Sequence, residues 1–282
     1  MDSRELRYFV AVAEELNFGR AALRLGIAQP PLSRTIQQLE RRMGVALLTR
    51  TSRAVALTAA GEVLLHEGKR ALTALKAAQC RAQRAGSPRL VLAMKPHSDG
   101  DLLEKILAEY AATPGAVEVE VRIGGIGEQA VLVREGEADA ALLRFPHEDT
   151  EGFDFEELLT EPDVAILPRT HRLADRESIT MADLSGEQFP RWPSSPPNGG
   201  PLVRDAAQLM QLISLGRTIA MLPASTRRHL RNDLTAVAVT DAPTSTLAIA
   251  WPPEAKSRHL AALVQAAVTA SGTLIAHPAA SA

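Results

Sequence analysis

Cysteine is nearly absent: Cys80 stands alone in a chain of 282 residues. An intrachain disulfide is therefore excluded, and with it redox sensing through such a bond; a cysteine-based zinc site is disfavoured as well. Long apolar runs are also missing. No stretch approaches the roughly 18–20 residues that a membrane-spanning helix needs. The opening segment MDSRELRYFVAVAEELNF has a short apolar run, but Glu14 and Glu15 interrupt it. It is too short and too charged for a secretory signal, and a cytoplasmic protein is expected. The seven histidines are scattered without metal-ligand spacing, so no metal and no cofactor is expected. HSDGD (97–101) holds His, Ser and Asp side by side. A catalytic triad is assembled from separated segments, so neither a catalytic residue nor an enzyme is expected. GGIG (124–127) is not GxGxxG, and only a strand-to-helix turn is expected there.

What is present is a polarised charge distribution. The chain is 46% apolar and 23% charged, as in soluble globular proteins, and is long enough for two or three compact units. Residues 1–88 carry 14 Lys/Arg against 7 Asp/Glu, a net of +7; residues 89–282 carry 17 against 26, a net of −9. A basic head on an acidic body suggests that the head meets a polyanion and the body does not.

Periodicity divides the chain in the same way. Leu6, Phe9, Val10, Ala13 and Leu16 share one helical face over residues 4–16. A short second helix is expected over 19–25, ended by Gly26, and a third over 29–43 with Leu32, Ile36, Leu39 and Met43 as its buried stripe. Pro30 and Pro31 fit only the first turn of that helix. Two strand-like pieces, 47–50 and 54–57, flank TSR and predict a small hairpin with Arg50 and Arg53 near its tip. Thr58 can cap a helix over about 59–84, which is too thinly apolar to be its own core and reads as a rod that packs on a second chain. Gly86, Ser87 and Pro88 mark a boundary. Strand and helix patterns then alternate, from RLVLAM (89–94) to TLAIAWP (246–252), which predicts a three-layer α/β body with a mostly parallel sheet.

Two helices joined by a glycine turn follow the helix-turn-helix plan, whose second helix lies in the DNA major groove. The exposed face would present Gln29, Ser33, Arg34 and Gln37, with Gln38 beside them. Gln pairs bidentately with adenine and Arg with guanine. The hairpin arginines suit flanking phosphates or the minor groove, which makes the module winged. The bland alternative is a three-helix interaction module whose Gln/Ser face is merely solvated.

The run LRYFVAVAEELNFGRAALRLGIAQPPLSRTIQQLERRMGVALLTRTSRAVALTAAG, Leu6 to Gly61, closely resembles the N-terminal domain of LysR-type transcriptional regulators. The resemblance implies an N-terminal all-α winged helix-turn-helix (1–58), a long linker helix that dimerises (59–86), and a C-terminal α/β effector-binding domain of two subdomains resembling periplasmic binding proteins (89–282). It implies double-stranded DNA, a small-molecule effector and RNA polymerase as partners, and a homotetramer acting on two spaced half-sites. The DNA-binding set is then Gln29, Pro30, Pro31, Ser33, Arg34, Gln37, Arg50 and Arg53. The expected lobes are about 89–162 plus 253–272, and about 163–251. The second is shorter than usual in the family by about one helix and strand after WPSSPP (192–197).

The resemblance places the effector between the lobes. Candidate positions at strand ends and turns are Lys95, His97, Ser98, Gly125, Ile126 and Arg144, with Trp192 and Ser194 following an expected strand at Gln188–Phe189. This part loosely resembles the branch that regulates aromatic-acid catabolism, where an arginine after the third strand and a YPSSP-like run occur. Ile126 replaces a hydroxyl residue there, and an aromatic acid is not carried over. Lys95, His97 and Arg144 would make the cleft mouth basic and favour an anionic metabolite. Alternatively Arg144 is structural, paired across the cleft, for instance to Glu128. Two rival functions are a cytoplasmic small-molecule-binding protein with a vestigial DNA-binding head, and an enzyme.

Overall fold

A computed structural model describes residues 1–50, 54–86, 88–193, 195–196 and 198–275, with side chains through Gly272. Arg53, Ser194 and the tail from Ala276 lie outside the described residues. The chain forms two compact units, Met1–Ala82 and Gln83–Ala282.

In the first unit, α1 (Ser3–Glu15), α2 (Phe18–Leu25) and α3 (Gln29–Met43) enclose a small core. Asp2 caps α1 in a reciprocal box with Glu5, and Asn17 caps α2 by accepting the Arg20 N–H at 3.0 Å. Gly26 takes φ of 67°, a left-handed conformation that suits glycine and turns α2 into α3. Phe9, Val12, Ala21, Leu32, Ile36, Leu39 and Leu47 are wholly buried. Each large apolar side chain among them contributes about 1.5–3 kcal/mol by leaving water. The expected stripe therefore holds, apart from Met43, which is exposed. Strands β1 (Leu48–Arg50) and β2 (Val55–Leu57) pair antiparallel, Leu48 opposite Leu57. Helix α4 (Ala59–Arg84) starts at Thr58, whose hydroxyl accepts the Gly61 N–H at 3.0 Å.

The second unit is built on β3 (Arg89–Met94), β4 (Glu118–Ile123), β5 (Ala140–Phe145), β6 (Asp154–Pro168), β7 (Ser178–Ile179), β8 (Ala220–Pro223), β9 (Leu234–Val239) and β10 (Thr244–Trp251). Their order is β4-β3-β5-β10-β6-β9-β7, with β8 also on β6. Alternate residues of β3 feed two cores. Leu90, Leu92 and Met94 meet α5 (Leu103–Ala111) and α8 (Arg258–Ile275); Val91 and Ala93 meet α6 (Glu128–Arg134). This is the three-layer first lobe. In the second lobe, α7 (Ala206–Ser214) packs Leu209 and Ile213 against Val164 and Ile166 of β6.

Three expectations need correction. The sheet is mixed: β10 runs antiparallel to β5 and β6, and β6 is antiparallel to β8 and β9. A strand that leaves one lobe needs a returning strand beside it, and that strand must run the other way. The lobe boundary also moves. The expected division puts β10 in the second lobe, yet Leu247, Ala248 and Ile249 are buried in the first, beside β5. The crossovers are at Pro162–Asp163 and just before Thr244, where the Asp163 N–H donates to the Pro243 carbonyl at 3.1 Å. The third concerns Gln188–Phe189, which is not a strand; the nearest pairing is a lone bridge of Arg191 with Leu202. Pro190 and Pro193 follow within a few residues and leave little ladder to form. Among the described residues from 188 to 205 there is no helix. No described helix is long and apolar enough to cross a membrane.

Candidate nucleic-acid interface and candidate effector cleft

Helix α3 turns one stripe inward and another outward. Leu32, Ile36 and Leu39 are buried, which leaves Gln29, Pro30, Pro31, Arg34 and Gln37 exposed and Ser33 half-buried on the other side. Among the described residues, Arg34 makes no ion pair and no side-chain hydrogen bond. A free guanidinium beside exposed amides can donate and accept in a plane, as base edges require. The helix is held from behind. Glu5 at the start of α1 pairs with Arg42, whose hydrogen bond keeps its carboxyl below the ordinary carboxylate value.

Arg50 stands at the turn end of the hairpin, opposite Val55, and it has a partner that the sequence did not suggest. Its guanidinium lies 2.7 Å from Glu40 and 5.0 Å from the centre of the Phe18 ring, so its charge is paired at the last residue of β1. Sequence reasoning missed Glu40 because a lone glutamate near a helix end reads as a solvated charge.

The effector candidates separate into two groups. Lys95, His97, Ser98 and Arg144 gather on one side, and both Lys95 and Arg144 have an acid there. Arg144 is 2% exposed; its Nη1 lies 2.7 Å from Glu161, and its Nε donates to the Ser98 carbonyl at 3.1 Å. Lys95 pairs with Glu148 at 3.0 Å, and the same carboxylate oxygen accepts the Arg144 backbone N–H at 2.8 Å. The expected basic mouth is thus internally compensated. Arg144 is paired, as the structural alternative required, but with Glu161; Glu128 instead accepts the Gly125 N–H at 2.7 Å. Burying an arginine without a carboxylate would be costly, which explains the partner.

Contacts also join the lobes here. Ser225, after β8, donates its backbone N–H and its hydroxyl (2.9 Å) to Glu161. The His97 and His229 rings stack at 4.6 Å, and Asp101 binds both Arg228 (2.6 Å) and His229 (2.9 Å). Burial alone would push the Asp101 carboxyl up; the bonds from His229 and Arg228 outweigh it and hold it below the ordinary value. The Ser98 hydroxyl is buried with no partner among the described residues.

Of the second group (Gly125, Ile126 and Trp192), Ile126 lines a groove of about 450 Å³ with Gly127, Glu128, Val131, Leu132, Pro193 and Arg204. The Ile126 N–H donates to the Arg204 carbonyl at 3.0 Å, so the groove bridges the lobes. Gly125 belongs to the same turn, where an added Cβ would come within 3.1 Å of that carbonyl. Trp192, adjacent in sequence to Pro193, packs into the second-lobe core. Arg204 escapes sequence reasoning, since there it is one arginine in a loop. Among the described residues no group of three or more His, Cys, Asp or Glu is arranged to hold a metal ion.

Comparison with known proteins agrees with this division. Residues 3–62 match the family described as bacterial regulatory helix-turn-helix protein, lysR family, and residues 83–271 match the LysR substrate binding domain. The HTH-type transcriptional regulator AlsR of Bacillus subtilis (strain 168) is 34% identical over 260 residues, 83% of this chain and 84% of that protein. Among solved structures, full-length BenM is similar at 26% identity and a TM-score of 0.52, covering 97% of this chain and 98% of that one. Full-length CbnR complexed with its target DNA is similar at 25% identity and a TM-score of 0.51, covering 96% and 100%.

Proposed function

The chain belongs to the LysR family of bacterial helix-turn-helix transcriptional regulators, and on that premise we propose that it reads two spaced DNA half-sites with α3 and answers to a small anionic metabolite held between its lobes. The observation that carries the DNA reading is the free Arg34 guanidinium among exposed Gln29, Gln37 and half-buried Ser33. The similar full-length CbnR is complexed with its target DNA, which supports DNA as the partner here. Pro30 and Pro31 begin the helix and set how its first turn meets the duplex. Arg50 and Arg53 belong to the same DNA-binding reading, Arg50 at the turn end of β1.

Two copies would join through α4. Ala71, Leu75, Ala78 and Ala82 recur at helical spacing and are all exposed, a stripe suited to a second copy of the same helix. A homotetramer then spans two half-sites, acts in the cytoplasm and meets RNA polymerase there. The effector reading rests on the inter-lobe groove. Its walls are apolar at Ile126, Val131, Leu132 and Pro193; of its two charged residues, Glu128 is engaged by the Gly125 N–H, and Arg204 makes no ion pair among the described residues. About 450 Å³ falls in the usual range for a metabolite site. A ligand there touches both lobes, so binding would bias how they close and shift the spacing of the DNA-reading heads. Lys95, His97, Ser98 and Arg144 shape the neighbouring wall through their pairs.

The test is a gel shift and footprint of the purified protein on DNA just upstream of its own gene, at increasing salt. A pair of protected sites that weakens steeply with salt is expected. Absence of any specific complex at low salt, against competitor DNA, there and on duplexes drawn from a random pool, overturns the reading. Anionic metabolites are then screened for a shift in the footprint.

A further inference from the structure

Glu40 is a carboxylate placed on the helix that reads DNA. A negative charge near a polyanion weakens binding, so its presence calls for a structural reason. The reason lies in what it holds. One Glu40 oxygen accepts the N–H groups of both Leu47 (2.9 Å) and Leu48 (3.1 Å), where the hairpin begins. The other pairs with Arg50 at 2.7 Å, at the end of β1. Arg50 in turn lies over Phe18, the first residue of α2. The opposite side of the same loop is pinned as well. Thr58 donates its hydroxyl to the Ala46 carbonyl at 2.7 Å and its N–H to the Leu47 carbonyl at 3.0 Å. Gly61 lies so near that an added Cβ would sit 2.1 Å from the Leu47 oxygen.

From this geometry we infer that Glu40 is a positioning residue for DNA recognition: it fixes where the wing stands relative to the recognition helix, and it does so through Arg50. Two elements that contact one duplex must be held at a set separation, because a displacement of an ångström forfeits the contacts of the outer one. A carboxylate suits this because it alone binds two amides and a guanidinium at once. Arg50 is then a strut rather than a direct phosphate contact. The inference rests on α3 as the reading helix.

The test uses Glu40→Gln in the full-length chain, on the duplex that the unaltered chain selects from a random pool. That selection separately tests the DNA reading itself. Glutamine keeps an oxygen for the two amides and gives up the ion pair, so the unit should still fold. Pure electrostatics predicts tighter binding, since a negative charge has gone. Positioning predicts the opposite at the flanks. Hydroxyl-radical protection should disappear on the outer side of each half-site, with base preference under α3 unchanged. The slope of log affinity against log salt should become shallower by roughly 0.9 for each phosphate that the wing no longer reaches. Arg50→Gln should give the same pattern, and the double variant should be no worse than either single one. Tighter binding of Glu40→Gln with intact outer protection would overturn the inference. So would loss of that protection in Arg50→Gln alone, which would make Arg50 a DNA contact in its own right.

Discussion

The Arg144 guanidinium and the Glu161 carboxylate stand 2.7 Å apart with 2% and 8% of the two residues exposed. Glu161 also takes both donors of Ser225, so this ion pair ties the two lobes together. Removing one partner leaves the other charge buried and uncompensated. Glu161→Ala should therefore destabilise the second unit by about 3 kcal/mol or more. Trp192 and Trp251, the two tryptophans, both lie in that unit, so fluorescence during urea unfolding reports it. A loss below about 1 kcal/mol would mean that water reaches the pair. Arg144→Ala should behave alike, and loss of an effector response in that variant would not by itself identify a ligand contact.

Arg34 and Gln37 differ from Arg144 in having nothing behind them to lose. Arg34→Ala and Gln37→Ala should leave stability within about 0.5 kcal/mol. Each should weaken binding to the preferred duplex by about 1–3 kcal/mol and relax base choice at one position per half-site. Competition between preferred and altered duplexes measures this. Unchanged selectivity in both variants would move base reading away from this face of α3.

Close packing of α4 on its own unit gives a graded pair of substitutions. A Cβ at Gly61 would meet the Leu47 carbonyl oxygen at 2.1 Å, a backbone atom with no room to yield. At Gly68 it would meet Leu6 Cδ1 at 2.7 Å, the end of a side chain that can rotate. Gly61→Ala should cost about 2–3 kcal/mol, with Gly68→Ala nearer 1. Thermal melts followed by helical circular dichroism should rank them in that order, and the reverse order would contradict the packing.

Acid sensitivity is expected from Glu14. It binds Lys69 at 2.6 Å and Arg24 at 2.7 Å, joining α1, α2 and α4. Burial alone would raise its carboxyl, but the bonds from Lys69 and Arg24 outweigh burial, and the value falls below the ordinary 4.5. A carboxyl lowered on folding adds stability that is complete above its unfolded value and lost as pH falls through the folded one. Urea stability of the first unit should thus decline as pH falls below the ordinary 4.5, and less steeply in Glu14→Gln. Equal slopes in the two proteins would remove Glu14 as a cause.

Much of the first unit was legible because its signals are local. Gly26 after a short apolar helix, prolines in a first turn and a 4-3-4 apolar stripe each constrain neighbouring residues only. The bounds of α3 and α4 and the outward face of Gln29, Arg34 and Gln37 follow from helical period alone. The strands RLVLAM and LTAVAV were legible for a similar reason: both are dense in β-branched and aliphatic residues.

The sequence determined by itself what repeats at short range: the helices, the buried stripes, the basic head and the acidic body, and a resemblance long enough to imply the family. Only the tertiary structure decided what depends on residues far apart in the chain. DFEELLTEP carries too many exposed acids to read as a strand, yet it opens the 15-residue β6 because β10 pairs with it. For Arg144 the sequence left a ligand contact and a structural pair both open, and only folding brought Glu161 and Ser225 to it; likewise only folding set Glu40 beside Arg50. A charge is free or neutralised according to what stands within about 4 Å, and no periodicity records that distance.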